Sequence, residues 1–220
     1  TLDGDTGAVR RIISTDEILT FVRDEGFTPV PATRRLAHEM LSPAGTHVMA
    51  RLEVQECLTL ISSAVDGTEP ALFPYKPLHQ LWFDNETYYG VAGASSHRQS
   101  TREICRWQRD GTKVETLVPS DGETRIGNHI DASPDRAWYV TDPDYHTTPI
   151  TINLYRRGVT EPVATLTEHT FARPTWALKA HANPVFSRDG TCVYFVNAVS
   201  ENHVQASFVD VSAIVDPPRR

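Results

Sequence analysis

The chain has 220 residues, of which 40% are hydrophobic, and a formal net charge of −7 at pH 7. This composition suits a globular protein with a buried core, and an acidic balance without a basic stripe argues against nucleic acid as a partner. The sequence has no apolar run of about 20 residues, so no membrane partner is expected. Three cysteines match no zinc spacing and favour a reducing, cytoplasmic location, with the periplasm left open.

Short β-prone segments and turn residues alternate along most of the chain. Residues 1–13 are predicted to form a strand end, a turn and a returning strand, which is the second half of a repeating unit. Residues 14–37 are a long connection, in which residues 18–22 form either a strand or a short helix. From residue 38 onwards, groups of short strands start near residues 38, 79, 129 and 181.

One position recurs at the start of each group, four residues before a serine or its substitute. It is occupied by His38, His79, His129 and Asn183, and His181 stands two residues before the asparagine. Four short strands in every ~40–50 residues, joined by Asp-Gly type turns, are typical of β-propeller blades. We therefore predict an all-β chain of about four four-stranded blades, with residues 1–220 forming part of a larger propeller domain.

The propeller prediction indicates where chemistry could lie. The first strand of each blade lines the central channel, so residues at the recurring position should converge there. Residues two apart on a strand face the same side, which would place His181 beside Asn183. With His129 one blade away, these side chains could hold a divalent ion, because imidazole and amide oxygen suit manganese, zinc or iron. His79 would then be placed to act as a base near pH 7.

Structural roles are the alternative for the same residues. Histidines at blade starts often only form hydrogen bonds within the blade, and each of these could do so. The tryptophans are interpreted as packing inside blades, although Trp82, three residues after His79, could also wall a sugar site. The other histidines are predicted to lie in turns or on outer strands as solvated surface residues, namely His47, His97, His146, His169 and His203.

Three short phrases carry a resemblance to a known family. They are His79-Gln-Leu-Trp82, Asn128-His129-Ile-Asp-Ala-Ser-Pro-Asp135 and His181-Ala-Asn-Pro-Val-Phe-Ser187. In their order and spacing they resemble the oligogalacturonate lyases of bacterial pectin catabolism, which are seven-bladed propellers. The resemblance covers most of the chain and implies that it contains the later blades of such a protein.

The resemblance also implies roles for individual residues. The first phrase implies His79 as the Brønsted base, and the other two imply His129 and His181 as metal ligands, with manganese as the expected ion. The chain departs from the family pattern at two ligand positions. Asn183 replaces a second histidine, and Leu178 replaces a glutamine.

Three further residues complete the expected site. The family uses an arginine on the strand before the base, and Arg51 is a possible stand-in for it. His38 and Trp82 are expected to contact the substrate, His38 because it occupies the recurring position of the first blade. The sequence does not indicate an oligomeric state.

Two functions are compatible with these observations. The first is a metal-assisted lyase that cleaves short uronic-acid oligosaccharides by β-elimination. The second, suggested by the replaced ligands, is a degenerate propeller that binds a glycan or a protein without cleaving it. A weaker third alternative is a periplasmic scaffold that resembles the TolB propeller, suggested by the Ser-Pro-Asp turns alone.

Overall fold

The computed structural model describes residues 14–26, 35–54, 57–73, 77–92, 102–122, 126–142, 150–169, 181–200 and 203–215. The half-repeat expected in residues 1–13 lies outside these segments, as does Leu178. The described segments contain one helix, α1 (Thr15–Asp24), and fifteen strands. No helix in them is long and apolar enough to cross a membrane.

The strands form four sheets in which neighbours in sequence are neighbours in space. The first sheet contains β1 (Arg35–Leu41), β2 (His47–Val54), β3 (Cys57–Ala64) and β4 (Ala71–Phe73). The second contains β5 (Leu78–Trp82), β6 (Thr87–Val91), β7 (Ile104–Gln108) and β8 (Lys113–Val118). The third contains β9 (Ile130–Ala132), β10 (Trp138–Thr141), β11 (Ile150–Arg156) and β12 (Ala164–His169), and the fourth contains β13 (Val185–Phe186), β14 (Cys192–Ser200) and β15 (His203–Asp210).

This arrangement confirms the predicted all-β fold of propeller blades. Three sheets have the four strands that were expected. The fourth has three strands within the described residues. Its third strand, β15, pairs antiparallel with β14 along nearly its whole length.

Helix α1 decides the alternative that the sequence left open for residues 18–22. Ser14 caps the helix, because its hydroxyl accepts the N–H of Glu17 while the Glu17 carboxylate accepts the N–H of Ser14. Ile18 and Val22 lie on one helical face and are buried. They pack against apolar side chains of the first sheet, namely Ala50, Leu52, Ile61 and Leu72. The capping pattern was therefore a readable signal for a helix.

The chain divides into two compact units. The first comprises Thr1–Lys76, Gln80–Tyr89 and Arg106–Val114, and the second comprises Pro77–His79, Gly90–Cys105 and Glu115–Arg220. In the second unit the third and fourth sheets share one apolar cluster, which includes Val140, Ile152, Leu154, Val193 and Val211. Burying one such side chain contributes ~1.5–3 kcal/mol. Blade-to-blade packing therefore stabilises the part of the chain that carries the candidate site.

The serine of the recurring phrase closes the turn between the first two strands of a sheet. In the third sheet, the N–H of Trp138 donates to Oγ of Ser133 at 3.0 Å, and this Oγ donates to Asp135 at 2.6 Å. In the fourth sheet, the N–H of Cys192 donates to Oγ of Ser187 at 2.9 Å, and this Oγ donates to Asp189 at 2.6 Å. The repeated serine and aspartate of the sequence thus form the same hydrogen bonds in both sheets.

Replacing Ser133 with alanine should lower the free energy of unfolding by about 1–3 kcal/mol, because the buried N–H of Trp138 loses its acceptor. The matched Ser187→Ala variant should lose less, because Ser187 is half-buried and water can reach the N–H of Cys192. Unfolding in urea measures both changes. An equal loss in the two variants would contradict this account of the turn.

Asp189 should titrate well below an ordinary aspartate. Hydrogen bonds from the Ser187 hydroxyl, then from the N–H and hydroxyl of Thr191, lower its pKa to about 2. Because the unfolded chain binds this proton more readily, the stabilising contribution is full above pH ~4 and is lost as the pH falls towards 2. NMR titration of the carboxyl carbon should give that midpoint, and Thr191→Val should raise it. A midpoint near ~4 in the unsubstituted protein would show that the turn is not formed in solution.

Candidate functional site

Three imidazoles from three successive repeats lie together in the second unit. The ring centroids of His79 and His129 are 4.2 Å apart, and those of His129 and His181 are 5.4 Å apart. The three residues are separated by 50 and 52 positions in the sequence. His79 lies on β5, whereas His129 and His181 precede β9 and β13. The starts of the repeats therefore bring the predicted histidines into one cluster.

A buried aspartate that was not expected from the sequence supports the middle ring. Oδ2 of Asp142 lies 2.7 Å from Nδ1 of His129, and Oδ1 accepts the N–H of His129 at 2.8 Å. Oδ2 also accepts the N–H of Asn183 at 3.2 Å. Asp142 is 3% exposed. Its carboxylate therefore joins the start of the third repeat to the start of the fourth.

Strand pairing places Asp142 in this position. Thr141 is opposite Ile130 in the β10–β9 ladder, so the next residues, Asp142 and His129, face each other just beyond it. The N–H of Asp142 donates to the carbonyl of His129 at 3.3 Å, which continues the ladder. An aspartate directly after the second strand of a blade was the sequence signal, but only the register identifies its partner.

A second buried layer lies behind the aspartate. The N–H of Asn128 donates to the carbonyl of Asp142 at 2.9 Å. Nη1 of Arg102 donates to Oδ1 of Asn128 at 3.1 Å, and both of these residues are buried. Because Asn128 directly precedes His129, these bonds fix the backbone that carries the middle ring. Buried polar groups need such partners, since an unpaired one costs ~1–3 kcal/mol.

The environment of His181 favours its neutral form. Burial lowers its pKa, the nearby His129 ring lowers it further, and the Asp142 carboxylate opposes the shift. A neutral imidazole presents one N–H donor and one nitrogen acceptor. His181 is therefore suited to hydrogen bonding or ligation near neutral pH.

The recurring position has a left-handed backbone in three of the four repeats. The φ angles of His38, His79 and Asn183 are 58°, 47° and 43°. Such a conformation costs a residue other than glycine ~1–3 kcal/mol, and it is found preferentially at functional sites. In the first sheet it coincides with a register shift between Ala37 and Met40, where β1 bulges. Three of the four repeats therefore share a backbone bend at this position.

This bend makes one premise about the metal ligands wrong. His181 and Asn183 were expected to face the same side because they lie two apart on a strand, but β13 begins only at Val185 and Asn183 is left-handed. Across the segments that the structure describes, no group of three or more His, Cys, Asp or Glu side chains is arranged to hold a metal ion. The metal site expected from His129, His181 and the Asn183 amide stays a prediction.

The other predicted site residues belong to the first unit. Arg51 is half-buried on β2, and His38 is exposed on β1. Trp82 is 6% exposed, its indole N–H donates to the carbonyl of Met40 at 3.2 Å, and its ring packs against Tyr88 at 4.6 Å. This environment is that of a packing residue. Contacts of the three residues with substrate stay predictions.

His47 and His203, two of the histidines predicted to be surface residues, differ in how exposed their side chains are. His203 is exposed, as expected. The prediction for His47 was wrong, because this residue is 8% exposed and Nδ1 of its ring lies 3.0 Å from Oγ1 of Thr46. Its ring centroid is also 6.3 Å from that of Trp82. His47 therefore has a packing role in the first unit.

Comparisons with known proteins identify the fold. No protein-family model and no curated protein matches the sequence. Among solved structures, the chain is similar to TolB from Acinetobacter baumannii, with 14% identity and a TM-score of 0.54 over 81% of this chain and 42% of that one. It is also similar to a chain of a nidogen/laminin complex, with 14% identity and a TM-score of 0.54 over 81% and 61%.

A third similar structure is an oligogalacturonate lyase in complex with manganese, with 13% identity and a TM-score of 0.53 over 80% of this chain and 48% of that one. The chain thus spans between 42% and 61% of the length of these three structures. At such low identity, similarity to structures with different functions shows a shared fold and no shared activity. The chain has a β-propeller fold.

Proposed function

We propose that the histidine cluster binds the carboxylate of a short uronic-acid oligosaccharide, and that the chain carries part of a lyase that cleaves this substrate by β-elimination. The observation that supports this most is the convergence of His79, His129 and His181. The substrate class comes from the three phrases that resemble the oligogalacturonate lyases. One of the solved structures with a similar fold is also that of an oligogalacturonate lyase.

The proposed reaction needs a base close to a group that binds the carboxylate. The base removes the proton at C5, which the adjacent carboxylate acidifies. The electron pair forms the C4–C5 double bond, the C4–O bond breaks, and the departing oxygen takes a proton from solvent. His79 is the proposed base, because a neutral imidazole accepts protons near pH 7. His181 is proposed to donate a ring N–H to the uronate carboxylate, and His129 is proposed to accept a hydrogen bond from a hydroxyl group of the sugar.

Manganese stays a separate prediction. His129, His181 and the amide of Asn183 are the expected ligands, and the described segments contain no group of three or more His, Cys, Asp or Glu side chains arranged to hold a metal ion. No step of the proposed reaction depends on the ion, and its binding is tested on its own.

Binding without cleavage is the second candidate function. It is favoured by Asn183 and Leu178, which stand at positions where the family has metal ligands. In this case the cluster would hold a carboxylated glycan through imidazole hydrogen bonds alone. The same experiment separates the two candidates, because only cleavage creates a double bond.

Replacing His79 with alanine should reduce turnover of oligogalacturonides by roughly 10²- to 10⁴-fold, which is the usual contribution of a general base. The increase in ultraviolet absorbance from the new double bond measures turnover. His203→Ala is the matched control, because His203 is exposed on β15, and this variant should retain full activity. Each protein is assayed with added Mn²⁺ and with a chelator, and calorimetry with Mn²⁺ alone tests binding of the ion.

The lyase proposal fails if the unsubstituted protein produces no absorbance from a panel of uronate oligomers, with or without Mn²⁺. Calorimetric binding of those oligomers without any absorbance change would instead support the binding candidate. Equal activity of the His79→Ala and unsubstituted proteins would remove His79 as the base. A requirement for Mn²⁺ would support the metal-assisted form of the lyase.

A further inference from the structure

Asp142 is buried, and three nitrogen atoms lie within hydrogen-bond distance of its carboxylate. Its carboxylate lies 2.7 Å from Nδ1 of His129 and accepts the backbone N–H groups of His129 at 2.8 Å and of Asn183 at 3.2 Å. A carboxylate so deeply buried needs such donors, because an unpaired buried charge is strongly unfavourable. Two of these nitrogen atoms belong to His129 of the third repeat, and the other belongs to Asn183 of the fourth.

We propose that Asp142 is the positioning residue of the histidine cluster. It places the proton of neutral His129 on Nδ1, so that Nε2 is the nitrogen acceptor presented to a ligand. It also holds the left-handed Asn183 against the third repeat, two residues after His181. Its effect on turnover rests on the proposed function. Its effect on the His129 ring does not.

The chemistry of the carboxylate explains the first part of this role. An ionised carboxylate only accepts hydrogen bonds, so the ring nitrogen beside it must carry the hydrogen. Fixing one nitrogen of a histidine in this way determines what the other nitrogen does, in acid–base sites and in metal sites alike. The ring that is fixed is the middle one, with its centroid 4.2 Å from that of His79 and 5.4 Å from that of His181.

The geometry at Asn183 explains the second part. Its φ of 43° is unfavourable for a residue with a side chain. The hydrogen bond from its N–H to Oδ2 of Asp142 supports this conformation. Because the N–H of Val196 also donates to the carbonyl of Ala182 at 2.8 Å, the segment between His181 and Asn183 is held from two sides. Asp142 thus helps to fix where His181 lies relative to His129.

Asp142→Asn tests this role with the smallest change of shape. The carboxamide has one oxygen to accept hydrogen bonds, whereas three donors point at Asp142, and its –NH₂ group is itself a donor. We expect neutral His129 to change to the tautomer with hydrogen on Nε2, because Nδ1 can then accept from the new amide. The ¹⁵N shifts of the ring, recorded by long-range proton–nitrogen correlation and assigned with His129→Gln, report the tautomer directly.

Asp131→Asn is the matched control. Asp131 also joins the third repeat to the fourth, because its Oδ2 accepts the N–H of Phe186 at 2.8 Å. It tests the loss of a carboxylate link between the same two repeats at a position two residues after His129 in the sequence. We expect Asp131→Asn to keep the hydrogen of His129 on Nδ1. A loss of the tautomer in both variants would indicate general disruption and overturn the specific role of Asp142.

If Asp142→Asn does not fold, the unsubstituted protein alone still decides the point. Hydrogen on Nε2 of neutral His129 in that protein would overturn the proposal, and hydrogen on Nδ1 would support it. An unchanged tautomer in a folded Asp142→Asn variant would also overturn it.

The kinetic consequence is measured separately. With an active lyase, Asp142→Asn should raise KM roughly tenfold with a smaller change in kcat, because the His129 ring that contacts the substrate then presents a hydrogen in place of an acceptor. Asp131→Asn should leave both constants near those of the unsubstituted protein. An unchanged KM in a folded Asp142→Asn variant would contradict the positioning role. Absence of activity in the unsubstituted protein would refute the proposed function only, because the tautomer measurement does not depend on turnover.

Discussion

The candidate site depends on a buried carboxylate that must be fully hydrogen-bonded. Asp142 accepts the backbone N–H groups of His129 and Asn183, and Nδ1 of the His129 ring lies 2.7 Å from its carboxylate. Removing a charge from water is unfavourable unless fixed dipoles replace the lost hydration. The carboxylate therefore constrains the positions of its hydrogen-bond partners, and among them the orientation of the His129 ring. Arg102 and Asn128 extend the same hydrogen-bonded layer behind the site.

The repeating turn provides the scaffold for this site. A serine accepts a backbone N–H across the turn and donates to a nearby aspartate in the third and fourth sheets, at Ser133 and Ser187. In the first sheet, Ser42 accepts the N–H of His47 in the same way. The second repeat has Phe83 at this position, and Asp84 accepts the N–H groups of the turn instead. The turn of the second repeat is thus held through different N–H groups, those of Glu86 and Thr87, which also have a side-chain acceptor.

The function proposed for the cluster rests on chemistry as well as on proximity. Three imidazoles close to a buried carboxylate form an environment in which protons can be held at defined nitrogens. The left-handed backbone at His79 and Asn183 adds strain at two positions of the cluster. Strain of this kind persists where surrounding contacts enforce it, and Asp142 supplies one such contact at Asn183. The departures from the family pattern leave uronate binding compatible with the site, since hydrogen bonding to a carboxylate needs no metal.

The sequence by itself determined the repeat, the all-β blades and the common position of His79 and His129, because strand alternation and turn chemistry act over a few neighbouring residues. It left the helix at residues 18–22 undecided, although the Ser14–Glu17 cap was present, and it misjudged His47. Only the tertiary structure decided that Asp142 faces His129 and that Asn183 bends away from strand geometry. Register and burial are set by pairing between distant segments, and no local pattern records which carboxylate will meet which ring.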